Sequence, residues 1–369
     1  MALTKVDTSM VESTGAFGRR NILINGDYGI YQRAQQVTGI GASSGYFTAD
    51  RWVINPSTEG RLTMTAGTAD APAESNVTTS LKLACTTADT SVGGDQFCLL
   101  DQRIEGQNLQ HVKKGTSGAK QLTASFWVKG NASATYVAEL YDNDNARQVS
   151  KSFSVTSSWS KVELTFPADT TGAFGNDNGS SLFFQIWLLG GSIFTSGTLS
   201  ETWTSVTNAN RAVGISNFFS STSNEFYITA VQLEVGDVAT EFEHLTFDEQ
   251  SSLCKRYYQQ YSGFHAMPMW TYGRNNGSMQ FVLEKEMRTE PTSSYSGTLG
   301  SLQSNSHCGI YESDWVTISS LTFSSTAAAS NPKMMRFDSS HPSNAFASNN
   351  VAVGFYAGDD FYLIFDAEL

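Results

Sequence analysis

The stretch Leu122-Thr123-Ala124-Ser125-Phe126-Trp127-Val128-Lys129 places an apolar residue at every second position. Side chains alternate across a β-strand. Leu122, Ala124, Phe126 and Val128 therefore belong to one face, and Thr123, Ser125, Trp127 and Lys129 to the other, as in a strand buried on one side. The same period recurs around it. Val162, Leu164 and Phe166 alternate with Lys161, Glu163 and Thr165, and Leu62, Met64 and Ala66 share a face of another segment. Tyr227, Thr229, Val231, Leu233 and Val235 are expected to form one face of a further strand. Leu182 to Leu189, interrupted by Gln185, reads as a buried strand. Turn-rich stretches such as Asp142-Asn143-Asp144-Asn145 and Gly175-Asn176-Asp177-Asn178-Gly179 punctuate these segments. Short strands so separated, with no helical period between them, predict an antiparallel β-sandwich.

One segment departs from this pattern. Thr246 and Glu249 have capping-box spacing, and Leu253, Tyr257 and Tyr261 follow at i, i+4 and i+8, with Gly263 where a helix would stop. A helix over 244–262 is expected. It separates a first domain, 21–243, from a smaller β domain, 263–369, whose strands are read at Met279 to Leu283, Trp315 to Phe323, Val351 to Tyr356 and Phe361 to Phe365. Residues 1–20 read as an arm with few apolar residues to dock, Leu3, Val6 and Met10 among them.

Composition narrows the function classes. Of 369 residues 40% are hydrophobic and 12% aromatic, enough to build cores, whereas only 16% are charged, against about 25% in an average domain. The net charge of -12 disfavours phosphate backbones and anionic lipid, so neither nucleic acid nor membrane insertion is expected. Met1 to Arg20 lacks the apolar core of a secretory leader. Cys85, Cys98, Cys254 and Cys308 have no CxxC spacing and read as buried thiols.

No catalytic constellation emerges. Gly41-Ala42-Ser43-Ser44-Gly45 has the letters of a nucleophile elbow without the strand before it and helix after it. The five histidines form neither HxH nor HExxH. No cofactor is implied. Asp142-Asn143-Asp144 begins like a calcium loop but lacks its sixth-position Gly and twelfth-position Glu, which leaves room only for a structural calcium held by scattered loop oxygens. Trp270, Tyr272 and Asn275 form the one aromatic–amide cluster suited to sugar, with the core of the second domain as the alternative place for the two rings.

Several segments together resemble a family of tailed-bacteriophage virion proteins described as tail-fibre-like or appendage proteins. They are Asn21-Ile22-Leu23-Ile24-Asn25-Gly26-Asp27 with Tyr31-Gln32-Arg33, and Tyr46-Phe47-Thr48-Ala49-Asp50-Arg51-Trp52. Further along come Ile228 to Gly236, then Ala239 to His244, and Leu253-Cys254-Lys255-Arg256-Tyr257-Tyr258. The resemblance covers about 21–262. It implies a jelly roll of carbohydrate-binding-module type and virion anchoring through the first residues, Leu3, Val6 and Met10 included. It also implies a homotrimer, adsorption to host-surface polysaccharide, and no catalytic motif. The trimer is expected to pack partly through the tyrosine stripe of the helix, for which packing between the two domains is an equal alternative. A capsid decoration protein is the second reading and a polysaccharide depolymerase the third.

Overall fold

The computed structural model describes residues 19–263, 267–271, 275–299, 307–311, 315–323, 332–341 and 352–369. The chain divides into two compact units, residues 1–250 with Leu369, and 251–368.

The strands of the first unit are β1 (Gln36–Ile40), β2 (Val53–Ser57), β3 (Arg61–Thr68), β4 (Ser80–Thr87), β5 (Phe97–Glu105) and β6 (Leu122–Gly130). They continue as β7 (Ala134–Asp142), β8 (Arg147–Val155), β9 (Ser160–Phe166), β10 (Ser180–Gly190), β11 (Thr204–Ser205) and β12 (Glu225–Val235). Two six-stranded sheets result, one ordered β1-β3-β4-β12-β6-β9 and the other β11-β8-β7-β10-β5-β2. A single core fills the space between them, and the alternation read from sequence supplies it: Leu62, Met64, Leu122, Ala124, Phe126, Val128 and Phe166 all lie in it. This is the antiparallel sandwich expected from the pattern, and it agrees with the jelly roll that the resemblance implies.

β12 corrects one expectation. Phe226 and Ile228 face the core before Ala230, and Val231 and Leu233 after it, while Tyr227 and Thr229 are not in the core cluster. Ala230 adopts φ +50°, and the β6–β12 register shifts between Thr229 and Gln232. One extra residue at a bulge moves every following side chain to the other face, which strict alternation cannot anticipate.

The recognisable motifs meet at that bulge. Asn21 donates through Nδ2 to Val231 O (3.0 Å), while its Oδ1 accepts from the amides of Leu23 and Leu233. Glu243 accepts from the amides of Arg20 and Asn21. Asn25 donates to Ile30 O and Asp50 O, and its own carbonyl accepts from Trp52 Nε1 (2.9 Å). The Tyr28 and Trp52 rings meet at a tilt of 41° with centroids 5.0 Å apart, both fully buried. These segments form a clasp that satisfies buried backbone groups at one end of the sandwich, a structural role.

The expected helix is shorter than 244–262. A one-turn α1 (Ser192–Thr195) precedes it, and the helix itself, α2, spans Phe247–Lys255. The capping box forms as read: Thr246 N donates to Glu249 Oε2 (2.9 Å) and Glu249 N to Thr246 Oγ1 (3.3 Å). Beyond Lys255 the chain turns, and Tyr258–Tyr261 is strand β13. The tyrosines therefore do not continue the stripe begun at Leu253. Aromatic-rich Tyr-Gln-Gln-Tyr gains a full ladder against Tyr362–Asp366, which outweighs its modest helix propensity.

The second unit holds β13, β14 (Met267–Thr271), β15 (Asn276–Val282), β16 (Thr292–Ser296), β17 (Thr298–Leu299) and β18 (His307–Tyr311). After these come β19 (Trp315–Val316), β20 (Ser320–Phe323), β21 (Met334–Ser340), β22 (Ala352–Ala357) and β23 (Tyr362–Asp366). β13-β23-β16 form one sheet, and β17-β18-β22-β14-β15-β21-β20 the other, with β19 on β18. Its core includes Phe281, Phe337, Phe355, Phe361 and Phe365.

Candidate functional site

β10 decides where the first unit differs from a plain sandwich. Leu182, Phe184 and Ile186 point into the core between the sheets. Phe183, Gln185 and Trp187 occupy the other face, and that face is also rich in rings. Register places Phe183 between Arg103 of β5 and Tyr141 of β7, Gln185 between Asp101 and Glu139, and Trp187 between Leu99 and Val137. The segment after β10 returns over one end of this face. Ala212, with Phe194, Leu199 and Ile215, packs on Leu99, Val137 and Trp187. What it leaves uncovered is a cleft of about 240 Å³ lined by Asn55, Phe97, Tyr141, Phe183, Gln185 and Arg211, among others.

The floor is a continuous polar chain. Trp187 Nε1 donates to Glu139 Oε2 (2.7 Å), and Arg211 donates to Glu139 through Nε and Nη2 (both 2.9 Å). The same Nη2 donates to Gln185 Oε1 (3.0 Å), and Gln185 Nε2 to Asp101 Oδ2 (3.2 Å). The Arg211 guanidinium lies 5.0 Å from both the Tyr141 and Trp187 ring centroids. Held by a carboxylate, an amide and two ring faces, it is fixed in place, and its charge is largely neutralised. Phe97 and Phe194 meet edge to face (5.7 Å), and Tyr141 and Phe183 lie 5.5 Å apart.

Polar groups with no partner among the described residues remain at the cleft. They are Arg211 Nη1, the Asn55 side-chain amide, Tyr141 Oη and Asn143 Oδ1, the Asn143 Nδ2 being used on Ser180 O. The set offers donors and acceptors together, beside ring faces. Such a surface matches a ligand with apolar C–H faces and a rim of hydroxyls better than a simple ion or a hydrocarbon.

Asp101 and Glu139, one strand to either side of Gln185 and bonded to the floor residues Gln185 and Arg211, are a pair of carboxylates to weigh for glycoside hydrolysis. Both are fully buried. Burial pushes the Asp101 carboxyl up to about 6, against the opposing pull of Arg103, Gln185 and Arg51. Glu139 has its oxygens occupied by Trp187 and Arg211. Neither reaches a substrate in this arrangement.

Of the cluster named from sequence, Trp270 lies on β14 with 64% of its surface exposed, so it is no core residue. Ser278 of β15 is its register partner. Asn275 occupies the bend before β15, where its carbonyl accepts from His341 N (2.9 Å). Tyr272, and Leu3, Val6 and Met10, lie outside the described residues. The Asp142-Asn143-Asp144 turn is held by side-chain and backbone groups. Lys114 Nζ meets Asp142 Oδ2 (2.5 Å), Asp169 Oδ2 (3.0 Å) and the carbonyls of Thr171 and Gly172 (both 2.8 Å). Among the described residues no group of three His, Cys, Asp or Glu side chains is placed to hold a metal. Cys85, Cys98 and Cys254 are buried and form no disulfide.

Leu182 to Leu189 is the buried strand expected, with only Phe183 part-exposed, and sequence reasoning missed the cleft because the segment that partly covers its second face comes from later in the chain. The available signal was Gln185 between Phe183 and Trp187: a polar residue centred on an aromatic second face of a two-layer fold.

No family model matches the chain, and no curated protein does. Solved structures of similar outline exist. One is the enzymatically active domain of tailspike protein 4 of bacteriophage CBA120 (11% identity, 58% of this chain, TM-score 0.28), of which the chain spans 21%. Another is a family 11 carbohydrate-binding module of Clostridium thermocellum with a mixed-linked β-1,3-1,4 tetrasaccharide (11% identity, 56% of this chain and 98% of that one, TM-score 0.27). A third is the CBM22-1 xylan-binding domain of Paenibacillus barcinonensis Xyn10C (12% identity, 60% and 100%, TM-score 0.26). At such scores the likeness says nothing of residues or ligand.

Proposed function

We propose that the first unit binds glycan in the cleft between β2, β5, β10 and β7, and does so without cleaving it. The observation that carries this is the pairing of half-buried rings with unpartnered donors and acceptors around a fixed Arg211. Asp101 and Glu139, buried and in Glu139's case fully engaged, support binding over hydrolysis. Trp270, with Tyr272 and Asn275, is proposed as a second stacking face on the other unit.

The biological setting belongs to the same proposal and rests on the sequence resemblance. The chain is a fibre or appendage subunit of a tailed-phage virion, anchored by residues 1–20, trimeric, and used in adsorption to host-surface polysaccharide. Individually weak sugar contacts become effective when several copies engage one cell. With Tyr257 in the turn after α2 and Tyr261 on β13, no helical tyrosine stripe forms, and the trimer rests on that resemblance alone.

Two experiments test it. On a glycan array of bacterial surface polysaccharides, the full chain should bind and Tyr141→Ala should not, while its circular dichroism stays unchanged. Equal binding by the variant would remove the cleft from the reading. Immunogold labelling of intact particles with antibody to residues 264–369 should mark the tail or projecting fibres. Label over the head would favour the decoration reading instead.

A further inference from the structure

The shape of the cleft limits how a glycan can enter it. A chain running across the strands would pass over β2, β5, β10, β7 and then β8. At β8 the way is closed. Gln148 and Ser150 are fully buried beneath the segment that follows β10. Ser150 N donates to Ser200 O (2.7 Å), Gln148 Nε2 to Ser200 Oγ (3.1 Å), and Thr207 N to Gln148 Oε1 (3.2 Å). Arg211 comes from this same segment and stands against β7 through Glu139.

A chain running along the strands meets a second wall. Past Trp187 the face is covered by Phe194, Ala212 and Ile215. Ser216 N donates to Thr135 O of β7 (2.7 Å), which ties the cover to the sheet, and Ala212 N donates to Phe194 O (2.9 Å) within the cover. Further bonds within it, from Gly197 N to Ala209 O and from Ser200 N to Asn210 O, make it a braced wall. Access remains over Asn55, on the edge strand β2, and over Tyr141, Phe183 and the exposed Asn143. Either straight path is therefore open at one end and blocked at the other. At about 240 Å³ the space is also smaller than the ~300–1,000 Å³ usual for drug-sized ligands.

The geometry points to recognition of a chain end: the cleft takes the terminal sugar residue of a glycan rather than an internal run of a polysaccharide. The terminal ring enters between the Phe97/Phe194 and Tyr141/Phe183 walls. Arg211 Nη1 donates to its hydroxyls at the blind end, and Asn55, Asn143 and Tyr141 Oη contact the rim nearer the mouth. This inference rests on the glycan-binding reading above.

Calorimetric titration of the full chain with short and long size-fractionated members of gluco-, xylo-, manno- and galacto-oligosaccharide series separates the two claims. End recognition predicts one protein bound per glycan chain at both lengths, so that capacity per gram falls in inverse proportion to length. Capacity per gram that is equal for short and long chains would mean internal binding. That would overturn this inference and leave the glycan-binding reading standing, provided Tyr141→Ala abolishes the heat. No binding by any series, with the protein folded, would remove the reading and the inference with it.

Discussion

Replacing Lys114 by Met should destabilise the first unit by far more than loss of an ordinary lysine. The Lys114 side chain is 2% exposed and its ammonium is within 3.0 Å of four oxygens, two from carboxylates and two from carbonyls. It also lies 5.3 Å from the Phe174 ring centroid and 5.2 Å from that of Trp203. Removing one partner of a buried ion pair costs about 3–5 kcal/mol, because the other charge stays buried and uncompensated. Here the loss falls near the lower limit. Asp142 keeps hydrogen bonds from the backbone and side chain of Asn145, and Asp169 keeps both bonds from Arg147. About 3 kcal/mol, at about 2–4 °C per kcal/mol for a unit of this size, lowers Tm by about 6–12 °C. Thermal circular dichroism measures it, with the exposed Lys120→Met as control. The pH dependence has a definite sign. Burial alone would raise the Asp169 carboxyl, but hydrogen bonds from Arg147 and Lys114 outweigh it and hold the carboxyl below its ordinary value. A depressed carboxylate stabilises above the unfolded pKa, about 3.9, and that contribution disappears as pH falls through the folded value. The Tm gap between native and Lys114→Met should therefore be widest at neutral pH and narrow in acid. A variant that loses no more than the Lys120→Met control at neutral pH would refute the account. Because the ammonium's oxygens are of the kind hard cations use, Lys114→Ala should gain Tm on addition of calcium where the native chain does not.

Three further outcomes follow from the same structure. A Cβ on Gly26 would lie 2.1 Å from Val231 O, so Gly26→Ala should open the clasp at the β12 bulge, seen as a lowered Tm or insoluble expression; a native-like Tm would sink that reading. Asp101, pushed up to about 6 by burial, stays protonated in the fold at pH values where the unfolded chain ionises. It therefore opposes folding increasingly as pH rises from about 4 to 6, by about 3 kcal/mol at neutrality. Asp101→Asn should accordingly raise stability to urea at pH 7.5 and change it little at pH 4, and equal effects at both would count against a buried charge. Cys85, Cys98 and Cys254 should be silent to a thiol reagent in the native protein and react once unfolded, since all are buried and burial pushes the Cys98 thiol up. Rapid native labelling of any of them would contradict the packing.

Much of the fold is written locally. Period-two alternation at 122–129 and 161–166 fixes which side chains form the inter-sheet core, because a strand has only two faces and one must leave water. Thr246 and Glu249 likewise determine where α2 starts, through bonds that span three residues. The failures are where distant partners decide. Ala230 takes a left-handed conformation only because Gly26 O accepts the Val231 amide and β6 pairs with β12 on either side of the bulge, while β4 pairs with it only before. Tyr258 to Tyr261 leave the helix because β23, a hundred residues on, offers a ladder. The cleft is a tertiary object altogether. Its floor joins Asp101, Glu139, Gln185 and Arg211, residues from four separated segments whose individual surroundings in sequence carry no sign of one another. Sequence by itself determined a β-sandwich with aromatic residues to spare. Only the fold, by laying the segment after β10 across one face, decided which rings are buried and which line a cleft.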